Sequence, residues 1–313
     1  MKVIWLVIPC YNEEEVLIET SKQLKIIMER MILSGKISPN SKIVFVNDGS
    51  KDKTWEIISK LHIENKIFLG VNLSRNCGHQ NAVLAGLLTS KNYADAVISL
   101  DADLQDDVGV IEQFIDQFYN GYDIVYGVRS SRKTDTFFKR FTAESFYKVM
   151  KFLGVDIVFN HADYRLMSKR AIEGLEKFDE VNLFLRGIVP LIGYPSVTVE
   201  YERHERFAGE SKYPLKKMLS FAFDGITSFS VKPIWMICNI GTTLFIISII
   251  MMISSLIFKI YGKSIDNLTF FIESLWMIGG IQLISIGFIG QYIGKIYKET
   301  KKRPRYIIES FLR

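Results

Sequence analysis

The chain has 313 residues, with 39 basic side chains against 34 acidic ones and a formal net charge of +5. That length is ample for one globular domain of about 200 to 230 residues plus an anchor. The region ahead of the C-terminal third is close to neutral and offers no basic footprint for nucleic acid. Cys10, Cys77 and Cys238 are scattered, which excludes a disulfide framework and a zinc-ligand spacing.

Val3–Ile8 is a short apolar run, too short for the apolar core of a signal peptide and stopped by Pro9. Pro9-Cys10-Tyr11-Asn12-Glu13-Glu14-Glu15 then opens a helical pattern, with Asn12 as its N-cap and acidic residues in the first turn. Lys42–Val46 is a second run, ending in Asn47-Asp48-Gly49-Ser50, with a helix expected from about Thr54. A third, Ile67–Leu73, ends in Ser74-Arg75-Asn76-Cys77-Gly78-His79-Gln80 ahead of a helical Asn81–Thr89. Strand, polar turn and helix recur in order, which predicts a doubly wound α/β domain with its functional groups on the loops after the strands.

The fourth run, Val97–Leu100, breaks into Asp101-Ala102-Asp103-Leu104-Gln105-Asp106-Asp107. Asp101 and Asp103 lie two apart, so in extended chain they share a face, and the following turn can bring Gln105 to the same point. Such oxygen ligands suit Mg2+ or Mn2+ held together with nucleotide phosphates. A lone Asp-x-Asp is also compatible with a solvated acidic loop. His79, beside the Gly78 turn, is placed either to touch a phosphate or to make an ordinary loop hydrogen bond.

Two long uncharged stretches follow, Ile234–Phe258 with 25 residues and Leu275–Ile293 with 19. Both suit a helix crossing about 30 Å of hydrocarbon, with two buried core helices as the alternative. Glu273 falls at the interfacial end of the second span. Before them, Tyr213–Val231 mixes Lys216, Lys217 and Asp224 with Leu215, Met218, Leu219, Phe221, Phe223 and Phe229. The pattern fits a helix lying on the bilayer, or one packed on the core. After the spans, within residues 295–305, Lys295, Lys298, Lys301, Lys302, Arg303 and Arg305 stand against Glu299 alone. The positive-inside rule makes this tail cytoplasmic, and an even number of spans puts the N-terminal domain there too.

Four segments resemble the successive motifs of glycosyltransferase family 2: Ile8-Pro9-Cys10-Tyr11-Asn12-Glu13, Val46-Asn47-Asp48-Gly49-Ser50, Ser74-Arg75-Asn76-Cys77-Gly78 and Asp101-Ala102-Asp103-Leu104-Gln105-Asp106. Within it the chain is similar to the polyprenyl-phosphate glycosyltransferases related to dolichol-phosphate mannose synthase. The likeness continues through Gly127-Val128-Arg129, Ala162-Asp163-Tyr164-Arg165-Leu166-Met167 and Arg206-Phe207-Ala208-Gly209-Glu210-Ser211-Lys212, and so covers essentially the whole chain. It departs at Asn47, where the mannose synthases have Asp and the bacterial glucosyl-transferring branch often has Asn, and at Asp107, where Pro is common.

The resemblance implies a GT-A type, Rossmann-like catalytic domain over 1–212 and interfacial juxtamembrane helices over 213–233. A transmembrane hairpin follows over 234–294, with spans at about 234–258 and 270–293, and then a basic tail over 295–313. It implies a multi-pass protein of the plasma membrane, with the catalytic domain and both termini cytoplasmic, that assembles as a homo-oligomer. The implied reaction is inverting transfer of a sugar from a nucleotide-sugar, expected to be a UDP-sugar, to a polyprenyl phosphate, expected to be undecaprenyl phosphate.

By the same resemblance Pro9, Tyr11, Asn12, Glu13 and Asp48 hold the nucleoside, with Asn76, Gly78, Asp101 and Ala102 also on the donor. Gly78, lacking a Cβ, lets the backbone approach the ligand. Asp101, Asp103 and Gln105 take the metal, Mg2+ or Mn2+. Arg129, Arg140, Arg206 and Lys212 grip the acceptor phosphate, Arg140 being also readable as a solvated helix position. Asp163 positions the acceptor or takes its proton, with a helix N-cap or an Arg165 partner as the alternative. A lipid monophosphate is largely a dianion at neutral pH and needs cations more than a strong base.

Three other functions are weighed against this. A processive synthase resembling its family would carry Gln-x-x-Arg-Trp, which is absent. A dehydrogenase would carry Gly-x-Gly-x-x-Gly after the first strand, also absent. A non-catalytic membrane scaffold would not need the intact acidic motif and the three arginines.

Overall fold

The computed structural model of the protein describes residues 1–129, 161–180, 183–202 and 267–313. Ile4–Cys10 forms β1, buried along its whole length, as an apolar run does when helices cover both faces of a sheet. It pairs in parallel with β2 (Lys42–Asn47) and with β4 (Ala96–Ser99), and β2 pairs in parallel with β3 (Phe68–Leu73). Between them run α1 (Leu17–Leu33), α2 (Thr54–Glu64) and α3 (His79–Ser90).

The two-residue period of β1 divides the core. Ile4, Leu6 and Ile8 face the side packed by Leu17, Leu24 and Met28 of α1 and by Ile58 of α2. Trp5 and Val7 face the other side, against Ala82, Val83 and Ala85 of α3. Gly86 lets α3 sit directly on the sheet, since a Cβ there would lie 2.3 Å from Val7 Cγ1.

After β4 the chain passes through a short 3-10 turn, Val108–Val110, into α4 (Ile111–Tyr119) and β5 (Ile124–Arg129). Then come β6 (His161–Ser168), α5 (Lys169–Glu176), α6 (Leu185–Leu191) and β7 (Ser196–Tyr201). A 35-residue helix, α7 (Asn267–Lys301), precedes β8 (Ile308–Leu312). The sheet order is β7-β5-β6-β4-β1-β2-β3-β8. β6 is antiparallel to β4 and β5, β8 is antiparallel to β3, and the other pairs are parallel.

The expected α/β domain is therefore present, with helices at the predicted places after β2 and β3. The expectation for Asn12 fails. α1 begins at Leu17 and has no side-chain cap. Asn12 instead takes a left-handed backbone, φ 54°, and its Oδ1 accepts from Lys51 N at 2.9 Å. A short polar side chain that braces a neighbouring loop tolerates this conformation.

The tail also differs from the expectation. Lys295 to Lys301 continue α7, and the chain then returns to the sheet as β8. The expected interfacial segment 213–233 and the first span, 234–258, lie outside the described residues. The second span falls within α7. Counted over the described side chains, no helix is long and apolar enough to cross a membrane; several side chains of α7 fall outside that description.

Candidate active site

Register brings the motif loops to one edge of the sheet. Cys10, Asn47 and Asn72 are partners across β1, β2 and β3, so these parallel strands end level and release their loops side by side. β6 runs the other way and starts where β4 stops: Ser99 pairs with Arg165, and Ser99 Oγ donates to Asp163 O at 2.8 Å. Arg129 ends β5 on the same edge, opposite Tyr201. This is the carboxyl edge, where open α/β sheets bind ligands.

The first two loops are laced together. Asn12 N donates to Ser50 Oγ at 3.0 Å, Glu13 N to Thr54 Oγ1 at 2.9 Å and Glu14 N to Asp52 Oδ2 at 3.2 Å. Pro9 lies within β1, while Tyr11 is exposed at its end.

The second and third loops meet through Asp48, which is 3% exposed. Its two carboxylate oxygens accept from Cys77 N at 2.7 Å and from Gly78 N at 3.0 Å. Burial raises its pKa despite these bonds. Gly49, φ 61°, is required here, because a Cβ would lie 2.5 Å from both the Arg75 carbonyl carbon and Asn76 N. Gly78 also has a positive φ, 89°, but none of the described residues lies within 4 Å of where its Cβ would be. Its conformation, and not crowding by the protein, demands glycine. Asn76 is exposed on the same loop.

The acidic loop follows β4. Asp101, Asp103 and Gln105 are half-buried and Ala102 is buried. Ala102 O accepts from Thr20 Oγ1 of α1 at 2.7 Å, and Asp103 Oδ1 accepts from Gln105 N at 3.3 Å. Leu104 between them has φ 54°, the turn that lets position 105 fold back toward 103. Among the described residues no three His, Cys, Asp or Glu side chains gather closely enough to hold a metal by themselves. Two carboxylates and an amide match the chemistry of a hard cation that takes its other ligands from phosphates and water.

Asp163 sits in a cationic cage. Arg165 Nη2 donates to its Oδ1 at 2.8 Å, Arg186 Nε to Oδ1 at 3.2 Å and Arg186 Nη2 to Oδ2 at 3.1 Å. His79 Nε2 lies 3.6 Å from Asp163 Oδ2 and 3.6 Å from Asp101 Oδ1, joining the two carboxylates. Burial works against the Asp163 charge, yet Arg186, His79 and Arg165 hold its pKa well below the usual carboxylate range. Burial likewise opposes a charged His79, but Asp163 and Asp101 lift its pKa to about 9. An anion so stabilised is a poor proton acceptor. What the group can do is hold charge and geometry.

Beside the cage, Arg129 Nε is buried with no hydrogen-bond partner among the described residues, while Tyr201 bonds the same guanidinium and its Oη donates to Asp106 Oδ1 at 2.5 Å. An orphaned guanidinium donor at a polar edge is a ready contact for an anion. Arg140, Arg206 and Lys212 lie outside the described residues. Sequence reasoning missed Arg186 entirely, since a single arginine on a seven-residue helix carries no motif. It named Arg165 only as one partner Asp163 could have, and the bridging position of His79 has no local signal.

Fold and site together define an enzyme of the α/β class whose polar groups gather at the carboxyl edge of a mixed sheet. Residues 5–175 match the family model of glycosyl transferase family 2. The chain is 54% identical over 307 residues to the uncharacterized glycosyltransferase YkoT of Bacillus subtilis, covering 98% of this chain and 91% of that one. It is 40% identical over 311 residues to the bactoprenol glucosyl transferase of Shigella phage SfX, covering 97% and 98%. A prophage bactoprenol glucosyl transferase homolog of Escherichia coli is 39% identical, with 97% of each chain covered. The chain belongs to glycosyltransferase family 2 and, within it, to the polyprenyl-phosphate glycosyltransferases.

Proposed function

We propose that the protein transfers a sugar from a nucleotide-sugar, a UDP-sugar in the first instance, to a polyprenyl phosphate at the cytoplasmic face of the plasma membrane, with inversion at the anomeric carbon. The observation that carries this reading is the meeting of the acidic loop 101–105 with the Asp48 and Gly78 loops at one sheet edge, in a chain alike over nearly its full length to proteins named bactoprenol glucosyl transferases.

The loops after β1 and β2 take the nucleoside. Asp101, Asp103 and Gln105 hold Mg2+ or Mn2+, which as a Lewis acid stabilises the charge growing on the departing diphosphate. Arg129, with the orphaned Nε, holds the acceptor phosphate together with Arg206, Arg140 and Lys212. The acceptor dianion attacks the anomeric carbon directly as the bond to the diphosphate breaks. No side chain has to remove a proton, which agrees with an Asp163 that stays ionised and orients His79 and the arginines.

The membrane hairpin belongs to the same proposal. Phe271, Leu275, Ile278, Ile286, Ile289, Ile293 and Ile296 of α7 are exposed, a row of apolar side chains that hydrocarbon would satisfy and water would not. The chain leaves the sheet after β7 and rejoins it as β8, so any crossings between must be even in number. Two spans, about 234–258 and 270–293, meet that condition.

The test is transfer itself. Purified protein, polyprenyl phosphate, Mg2+ or Mn2+ and a panel of labelled sugar nucleotides are incubated, and lipid-extractable label is counted. Label in the lipid phase with at least one UDP-sugar, lost on chelation, is expected. Its absence with every donor overturns the reading.

A further inference from the structure

A directed hydrogen-bond chain runs from the C-terminal strand to the loops of the donor site. Asn72 Nδ2 donates to Glu309 Oε2 at 2.8 Å, and Asn47 Nδ2 donates to Asn72 Oδ1 at 2.7 Å. Ser50 N then donates to Asn47 Oδ1 at 3.2 Å, and Asn12 N donates to Ser50 Oγ at 3.0 Å. Asn47 and Asn72 are register partners at the carboxyl ends of β2 and β3, and Asn72 pairs with Ser310 of β8.

The polarity of this chain is fixed from its two ends, since Ser50 N–H can only donate and the Glu309 carboxylate can only accept. An ionised carboxylate only accepts, whereas an amide side chain can present either end. Glu309 therefore requires Asn72 to turn its NH2 outward, which leaves Asn72 Oδ1 for Asn47. Asn47 must then donate to it, and its own Oδ1 is left aimed at Ser50 N. Without the carboxylate the pair keeps only the Ser50 N–H to orient it, and in the turned-over arrangement Asn47 would face that N–H with an NH2 group. The loop that also grips Asn12 would lose its brace.

We infer that Glu309 is a positioning residue of the donor site, setting the Ser50 loop through Asn72 and Asn47 from a strand that lies beyond the long helix. The inference rests on the reading that the loops after β1 and β2 hold the donor nucleoside. β8 is then part of the transferase site as well as a cover for the sheet edge.

The test uses the full chain in detergent, with UDP and Mg2+ titrated by calorimetry, initial rates against donor concentration, and a thermal melt. For Glu309→Ala, the UDP Kd and the donor KM should rise about threefold to tenfold, the range one net hydrogen bond spans, with kcat and melting temperature nearly unchanged. Glu309→Gln keeps an accepting oxygen but can present either end to Asn72, so its affinity should fall between wild type and Glu309→Ala. Asn72→Asp removes the donor and sets two carboxylates together, so affinity should fall. Pairing it with Glu309→Gln reverses the bond and leaves an acceptor for Asn47, so affinity should return. Wild-type affinity in Glu309→Ala, a loss that tracks a falling melting temperature, or failure of the paired variant to recover each overturns the inference. If the wild-type protein itself binds no UDP, the donor-site reading falls and takes the inference with it.

Discussion

Arg186 holds the Asp163 carboxylate through a two-pronged contact, 3.2 Å from Nε to Oδ1 and 3.1 Å from Nη2 to Oδ2. It reaches from the short helix α6 to the first residues of β6, so two elements distant in sequence fix one side chain at the sheet edge. Arg165, 1% exposed, shares the same carboxylate. Replacing Asp163 by Ala leaves that buried guanidinium uncompensated, a loss of about 3 to 5 kcal/mol, and a large fall in melting temperature is expected. Arg186→Ala leaves Arg165 and His79 on the carboxylate. It should lower kcat with only a small change in melting temperature, and equal destabilisation by both variants would contradict the assignment.

Asp103→Asn and Asp103→Ala should each abolish transfer while the thermal melt stays at the wild-type position. Asp103 is half-buried at the polar edge, and its Oδ1 accepts from Gln105 N of the same loop, so the change falls on the loop and not on the core. Activity within about tenfold of wild type, or roughly 1.4 kcal/mol in barrier, would remove Asp103 from the metal site.

Gly49→Ala should damage donor binding and stability together. Its backbone is left-handed, at a cost of about 1 to 2 kcal/mol for an L side chain, and the added carbon would press on the Arg75–Asn76 peptide at 2.5 Å. Gly78→Ala meets no atom of the described residues and should cost the backbone preference alone. Calorimetry of UDP and melting of both variants, side by side, separate crowding from conformation.

Acid should weaken the fold partly through Asp123, far from the site. Arg170 holds its pKa below the ordinary value, against burial and with help from Ser168, whose Oγ donates to Asp123 Oδ1 at 2.8 Å. A carboxylate with a depressed folded pKa contributes stability that is fully present above its unfolded value of about 3.9 and is lost as pH falls through the folded one. Asp123→Asn should therefore lower the melting temperature at pH 7 and flatten the decline below about pH 4. An unchanged acid limb would show that the ion pair adds nothing.

The paired crossings predict a labelling pattern. A cysteine placed at Ser264 should react with an impermeant reagent from outside intact cells, and one at Ser310 should not. Release of the protein by alkaline extraction, or the opposite pattern, would contradict a hairpin.

The loops after β1 to β4 were legible because each closes a local pattern, an apolar run broken by Pro, Gly or Asp. Gly49 and Gly78 announce turns, and Asp101 with Asp103 announce a polar strand end. Asn12 misled, since an Asn ahead of glutamates satisfies the capping rule equally well, and only contact with Lys51 and Ser50 turned it to a left-handed brace. The cage around Asp163 joins residues from α3, β6 and α6, which no local window contains. β8 was hidden for another reason: five residues, Ile308–Leu312, behind a run of lysines and arginines read as a charged tail. Asn47, a departure from the mannose synthase pattern, gains meaning only beside Asn72, where its amide supplies a donor that Asp would lack.

The outer edge of β3 waits a long time for its partner. Asn72 and Glu309 are 237 positions apart, so during synthesis the N–H and C=O groups of β3 that face away from β2 stay open until β8 emerges. An unpaired edge is a template for association with other chains. By then, on the hairpin reading, α7 has entered the bilayer, and pairing of β3 with β8 comes after insertion. A catalytic domain cut off before α7 would lack β8 and keep this edge bare, which ties its solubility to a strand made only after the anchor.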